Sequence, residues 1–273
     1  MSSSEGKKNK KPQSLVTDEG VRKALQKKEG VDVELKQWEV KDFTKMGDNY
    51  ASVVSSVIVN YIKNNKEEKT TFIVKLNPLR KLLEGEKTNN FFIKEAQFYT
   101  VILPKLNSIL KEINEPALKV PHFYYANLEL NSEALYFGDL RLEGFKMADR
   151  RKGLDFHHLT LLLQELARMH AASTIFQGSK SKEEMLKEFP CLGEGIFKDE
   201  IMNDPEMIQW STSVTSTAAI MFNKINDYAK YADQIRAMNF YNEIKEEACT
   251  SMPPFEVISH GDCWTNNFLF KYV

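Results

Sequence analysis

What this sequence has little of narrows the field before any motif is considered. Its three cysteines, Cys191, Cys249 and Cys263, are scattered through 273 residues. They have neither the number nor the spacing of a disulfide framework or a zinc site, so a reducing, cytosolic setting is expected. There is no excess of charge of either sign: 37 Lys and Arg stand against 38 Asp and Glu, for a net charge of -1. Nothing general therefore draws the chain to nucleic acid or to an anionic membrane, and any phosphate site must be local. No apolar run is long enough to cross a bilayer. The start, Met1 to Ser14, carries Lys7, Lys8, Lys10 and Lys11 and lacks the apolar stretch of a secretory signal. It reads as a disordered, solvated tail, with nuclear localisation or phosphate contact as the alternative. No internal repeat is present.

The rest is ordinary globular material, 42% hydrophobic and 27% charged, enough for one large domain or two lobes. Thr17 is placed to cap a short helix carrying Val21 and Leu25, and Val31, Val33 and Leu35 alternate as a half-buried strand does. Val53 to Tyr61 and Thr70 to Leu76 are β-branched runs joined by the polar Lys63 to Lys69 loop, the pattern of an antiparallel hairpin. Asn90 reads as the N-cap of a helix with Phe91, Phe92, Glu95, Tyr99 and Ile102 on one face, ended by Pro104. Val120 to Tyr125 and Ala134 to Phe137 read as two more strands.

Beyond Gly138 the periodicity turns helical. Leu159, Leu163, Leu166 and His170 share a stripe, Ser181 and Glu184 make a capping-box signature, and Met207 to Glu247 reads as two or more helices. Strands with one helix, followed by helices, is an order compatible with α+β packing in two lobes. The expected division is a tail over 1–14, a β-rich lobe over 15–138 and a helical lobe over 139–273.

The segment richest in chemistry is His260 to Tyr272, HGDCWTNNFLFKY, in which Asp262 and Asn267 stand five positions apart in a polar loop. An Asp can accept the proton of an attacking hydroxyl while an Asn amide oxygen holds a metal ion that bridges nucleotide phosphates. The alternative is a turn in which both side chains bond to backbone. Lys75 lies in an otherwise apolar strand beside Ile73, Val74 and Leu76. Alternation puts Ile73 and Lys75 on one face, the first to cover an adenine ring and the second to meet the α- and β-phosphates; a lysine snorkelling from an edge strand is the alternative.

Glu95 sits on the apolar stripe of its helix, where an unpaired carboxylate would be costly to bury. Lys75 is its expected counter-ion, and an ordinary helix-edge charge is the other reading. Gly47 to Ser52, GDNYAS, joins two expected strands and offers Gly47, Asn49 and Ser52 with their backbone N–H groups to phosphates; a plain hairpin turn is the alternative. His157 and His158, with Asp155 nearby, read as surface residues, because neighbouring helix positions point apart and make a poor metal site. His170 reads as a buried residue bracing the loop by hydrogen bonds.

In this order the motifs resemble the aminoglycoside-phosphotransferase and choline-kinase group of kinase-like enzymes, most closely the insect ecdysteroid-kinase-like branch. The resemblance is carried by HGD-W-NN-FKY from His260, GDNYAS from Gly47, FYTVILP from Phe98, Asp139 with Leu140, and LARMHAAS from Leu166, and it runs from about Val33 to the last residue. It implies a protein-kinase-like bilobal α+β fold that uses ATP and Mg2+ and phosphorylates a hydroxyl of a small molecule, a steroid-like alcohol by the branch name. On it, Lys75 and Glu95 form the phosphate-binding ion pair, Phe137 and Gly138 present backbone groups to adenine at the hinge, and Asp262 is the base. Asn267 is the metal ligand, and His260 orients the loop. A monomer with no nucleic-acid or membrane partner is expected.

Gly138 stands where the branch usually has Glu. Eleven residues follow Asp262 and none is Asp or Glu, so the second metal-binding carboxylate of a later Asp-Phe-Gln segment is expected to be absent. The helical lobe is then expected to be incomplete, with Phe268 to Val273 a strand without a partner. The chain reads as a C-terminally truncated kinase of impaired activity, and the competing reading is a non-catalytic nucleotide-binding pseudokinase.

Overall fold

The computed structural model describes residues 11–43, 52–79, 86–193, 203–239, 243 and 256–272. The chain divides into two compact units, Met1–Ser179 with Val257–Val273, and Lys180–Glu256.

In the first unit, β1 (Val33–Asp42), β2 (Val53–Lys63), β3 (Lys66–Leu76), β4 (Phe123–Asn127) and β5 (Ala134–Gly138) form an antiparallel sheet in the order β1-β2-β3-β5-β4. The polar stretch after Tyr61, expected as a loop, is mostly ladder, with Lys63 opposite Lys66 and Tyr61 opposite Glu68. Asn64 and Asn65 make this possible by adopting positive φ, 51° and 60°, in a two-residue turn whose twist suits its strands.

α1 (Asp18–Glu29) begins at Thr17, whose side chain accepts the Gly20 N–H. It lays Val21, Ala24 and Leu25 on one face of the sheet, against Val57, Val59, Phe72, Val74, Leu76 and Tyr136. Close approach requires the glycine at 20, where a Cβ would fall 2.4 Å from the Tyr136 hydroxyl oxygen. Because side chains alternate along a strand, burying Phe72, Val74 and Leu76 on this side turns Ile73 and Lys75 to the other. There Ile73 packs against a second cluster of Phe92, Ala96, Leu135 and Phe137.

α2 (Glu86–Gln97) begins before Asn90, which lies inside the helix and is not its cap. Nor does Pro104 end the helical path. A π turn, Phe98–Ile102, closed by the Leu103 N–H donating to the Phe98 carbonyl, leads into α3 (Leu103–Glu112) with Pro104 in the first turn. The proline interrupts the i→i+4 ladder there, and the wider i→i+5 bond of the π turn carries the path past it.

β6 (Phe145–Met147) and α4 (Phe156–Gln177) follow. The stripe expected on α4 is not its buried face: Leu159 and Leu163 are 41% and 53% exposed, while Met169, Ala172 and Ser173 are buried. Along its later turns the helix meets other elements through Glu165 with Lys119, Arg168 with Glu115 and Phe176 with Lys105. β7 (Leu269–Lys271), within the segment expected to lack a partner, pairs antiparallel with β6 from Phe145 opposite Lys271 to Met147 opposite Leu269. A three-residue strand such as β6 is too short to leave a periodic signal.

The second unit contains α5 (Lys182–Glu188), opened by the expected capping box of Ser181 and Glu184. It also holds α6 (Pro205–Phe222), which buries Ser211, Thr215 and Ala219, and α7 (Ala232–Ala237), packed on α6. An antiparallel sheet followed by helices is a mixed α+β architecture, compatible with the kinase-like fold expected from the motifs. No helix among the described residues is long and apolar enough to cross a membrane.

Candidate active site

Lys75 leaves β3 on the face opposite α1, and its Nζ donates to Glu95 Oε1 at 2.5 Å. Glu95 is held in place because Phe92 and Ala96, on the same helix, are buried against Leu135 and Phe137. The lysine and glutamate side chains keep 36% and 30% of their surface, so a ligand can reach the pair. Lys75 Nζ also lies 5.7 Å from the Phe137 ring centre. Tyr99, in the π turn, stacks on Phe123 at 5.4 Å and meets Phe137 edge-on at 5.1 Å. Burial, and then the charge of Glu95, push its phenol pKa up.

Of the three residues read as a phosphate loop, Gly47 and Asn49 lie outside the described residues. Ser52 is half-buried immediately before β2, whose first residue Val53 pairs with Leu76. At the hinge, Phe137 is buried and the Gly138 N–H donates to the His122 carbonyl at 2.8 Å. A Cβ at 138 would meet His122 and Tyr124 no closer than 3.7 Å, an ordinary contact, so the backbone does not demand glycine there.

Asp139 follows, its side chain only 3% exposed. It accepts from the Arg141 backbone N–H at 3.0 Å, from Arg141 Nε at 2.8 Å and from Arg141 Nη2 at 2.6 Å. Nη2 also donates to Ser56 Oγ at 2.9 Å, and the guanidinium lies 4.5 Å from the Phe43 ring centre. Arg141 carries no signal in the sequence beyond its place two residues after a motif aspartate.

The His260 loop turns at Gly261, whose φ of 78° suits glycine. The Asp262 N–H donates to His260 Nδ1 at 3.2 Å, and Asn267 Nδ2 donates to Asp262 Oδ2 at 2.7 Å and to the Asp262 carbonyl at 2.8 Å. Asp262 and Asn267 are therefore in direct contact, and the Asn267 atom left for a cation is Oδ1. His260 keeps exposed surface, yet its ring sits against Phe268 with centres 5.8 Å apart. Desolvation holds its pKa below the usual histidine value; Asp262 and Glu95 oppose this and Lys75 adds to it. The charges of Lys75 and Glu95 thus reach His260, and the ion pair and the loop share one electrostatic neighbourhood.

Three contacts among the described residues help hold this loop. The Ile258 N–H donates to Ser173 Oγ at 3.0 Å, and that hydroxyl donates to the His170 carbonyl at 2.8 Å. The side-chain brace from α4 to the segment before the loop is therefore Ser173, three residues beyond the histidine expected to supply it. The second tether is the pairing of β7 with β6. The third is His158, expected on the surface but only 19% exposed in its side chain. Its Nδ1 is 2.8 Å from Asp155 Oδ1, its Nε2 is 3.0 Å from the Tyr272 hydroxyl, and its ring meets Phe270 edge-on at 4.6 Å.

Mg2+ takes near-octahedral oxygen ligands, usually from one or two carboxylates together with phosphates and water. Among the described residues no group of three or more His, Cys, Asp or Glu is arranged to hold a metal. The donor chemistry present, Asn267 Oδ1 beside the Asp262 carboxylate, fits an ion that draws its remaining ligands from a nucleotide and water.

No curated protein and no solved structure matches the chain. The Ecdysteroid kinase-like family matches it over residues 46–273, a span that takes in the Lys75–Glu95 pair, the hinge and the His260 loop. The chain belongs to the ecdysteroid kinase-like family.

Proposed function

We propose that this protein binds ATP on the β3 face bearing Ile73 and Lys75 and transfers the γ-phosphoryl group to a hydroxyl of a small molecule, acting as a cytosolic monomer. The observation that carries this reading is the 2.5 Å Lys75–Glu95 pair, which stands on the same sheet face as Ile73 and keeps about a third of its surface open to a ligand. Kinase-like phosphotransfer needs a fixed cation on the α- and β-phosphates and a carboxylate near the attacking hydroxyl. Glu95 fixes Lys75 for the first task, and, with the Gly138 N–H spent on the His122 carbonyl, backbone at the end of β5 would meet the base through carbonyl oxygen.

Asn267 Nδ2 occupies Asp262 Oδ2, which leaves Oδ1 to take the acceptor's proton. The acceptor oxygen attacks the γ-phosphorus, the bond from that phosphorus to the bridging oxygen breaks, ADP leaves, and Asp262 holds the proton. Mg2+, held by Asn267 Oδ1 and the nucleotide's own oxygens, would neutralise phosphate charge. The family's name points to an ecdysteroid-like alcohol as the acceptor.

The test is ATP binding and ADP release with a panel of steroid and smaller alcohols. Lys75→Ala is expected to weaken ATP at least about tenfold, the worth of a charge-assisted hydrogen bond; undiminished binding would exclude this face. One observation favours a second reading, a nucleotide-binding pseudokinase: the described residues supply no cluster of acidic metal ligands. Thermal shift separates the two, since a ligand that binds the native state raises its melting temperature. ATP stabilisation that Mg2+ does not increase, with no ADP release for any alcohol, supports the pseudokinase. Mg2+-dependent stabilisation with release supports the kinase.

A further inference from the structure

We infer that Arg141 is a specificity-determining residue of the nucleotide site, donating through Nη1 to an acceptor on the sugar or base. The inference rests on the ATP-binding reading of the β3 face and deepens it. Ser56 and Phe137 are both register partners of Ile73, one on β2 and one on β5. Paired residues share a face of the sheet, so a guanidinium 2.9 Å from Ser56 Oγ lies beside Ile73. Lys75 is two residues along the same strand, about 7 Å at a strand's rise. If phosphates gather at Lys75, Arg141 stands at the nucleoside end.

Its five donors are unevenly engaged. Nε is taken by Asp139 Oδ1, and the two Nη2 hydrogens go to Asp139 Oδ2 and Ser56 Oγ. Nη1 makes no hydrogen bond among the described residues, while the side chain is 46% exposed. Nor is the group free to swing. Its partner carboxylate is 3% exposed, the bidentate fork fixes its plane, and the Phe43 ring lies 4.5 Å from it. A planar donor locked on three sides, with one edge open beside the expected base position, is pre-organised to read a nucleoside acceptor.

Calorimetric titration of the 273-residue chain with ATP and with inorganic tripolyphosphate tests this. Arg141→Ala is expected to weaken ATP about tenfold and to leave tripolyphosphate unchanged. Arg141→Lys, which keeps the charge and loses the fork, is expected to weaken ATP nearly as much. Arg141→Ala protein that binds ATP like wild type, or loses both ligands equally, overturns the inference and leaves phosphate binding at Lys75 standing. Should Arg141→Ala not fold, Ser56→Ala removes one lock and carries the test, and unchanged ATP affinity there overturns the inference as well. Wild-type protein that binds neither ligand would overturn the ATP-binding reading beneath it.

Discussion

The Lys75–Glu95 corner and the Asp262–Asn267 loop would supply the two halves of phosphoryl transfer, and they are held by different physics. Lys75 stands on a strand whose alternate residues, Phe72, Val74 and Leu76, have no exposed surface, and Glu95 on a helix fastened by buried Phe92 and Ala96. Moving either charge means disturbing a hydrophobic core. Asp262 and Asn267 are exposed, and their loop is positioned by one serine hydroxyl, a three-residue strand pairing and a histidine clamp. The binding half is thus set by packing and the transfer half by a few polar contacts, each worth about 1 kcal/mol. Variants should be able to separate the two.

The sharpest separation is expected from Asp262→Asn. It keeps the side-chain shape and removes the proton acceptor, so transfer should fall by about 10²–10⁴-fold while calorimetry finds ATP affinity unchanged. Equal loss of binding and transfer would show that the loop belongs to the binding half after all. Phe72→Ala attacks the other side of the comparison. Truncating this fully buried ring should destabilise the protein by about 3–5 kcal/mol, read from denaturant unfolding, with ATP binding and transfer failing together. Ser173→Ala is the counterpart for the loop. It removes the partner of the half-buried Ile258 N–H, at about 1 kcal/mol, and should lower transfer with little change in ATP affinity. If Ser173→Ala instead abolished ATP binding, the tethers would be serving both halves.

The same contrast decides what could be read from the sequence. The hairpin, the shared face of Ile73 and Lys75, and the pairing of Lys75 with Glu95 were legible because a strand's period of two and a charge on an apolar helical stripe are local signals. The HGD-W-NN segment was legible as a motif. The supports of the loop were not. Ser173 bonds to Ile258 across 85 residues and His158 reaches Tyr272 across 114, and neither separation leaves a trace in local pattern. His158 has exposed neighbours on α4, and its cover comes from Phe270 and Tyr272, far along the chain. Arg141 was missed for a related reason, since its meaning depends on Ser56 lying across the sheet. The helix boundaries at Asn90 and Pro104 failed because a π turn lets a helix pass a proline that would otherwise stop it.

The smallest expected effect sharpens the comparison by pH. His260 accepts the Asp262 N–H at Nδ1, which only the unprotonated nitrogen can do, and desolvation lowers its pKa in the folded protein. The unfolded chain therefore binds this proton more readily than the folded one. The loop's stability is full above the ordinary histidine value near 6.5 and is lost as pH falls from there through the folded value. Beside the sheet, Glu29 at the end of α1 gives the contrasting case. Burial opposes its ionisation, but ion pairs with Lys28 and Lys63 outweigh that and bring its pKa from 4.5 down to about 2. A depressed carboxylate contributes stability above 4.5 and loses it only as pH falls toward 2. Between pH 7.5 and 5.5, the protection factor of the Asp262 amide, its exchange rate taken relative to the intrinsic rate at each pH, should fall by roughly the factor of a lost neutral hydrogen bond, about 1 kcal/mol. Over the same range the protection factors of β2 and β3 should not change. His260→Asn supplies an acceptor that does not titrate and should flatten the loop's profile, whereas a profile that survives the substitution would assign the response to another group.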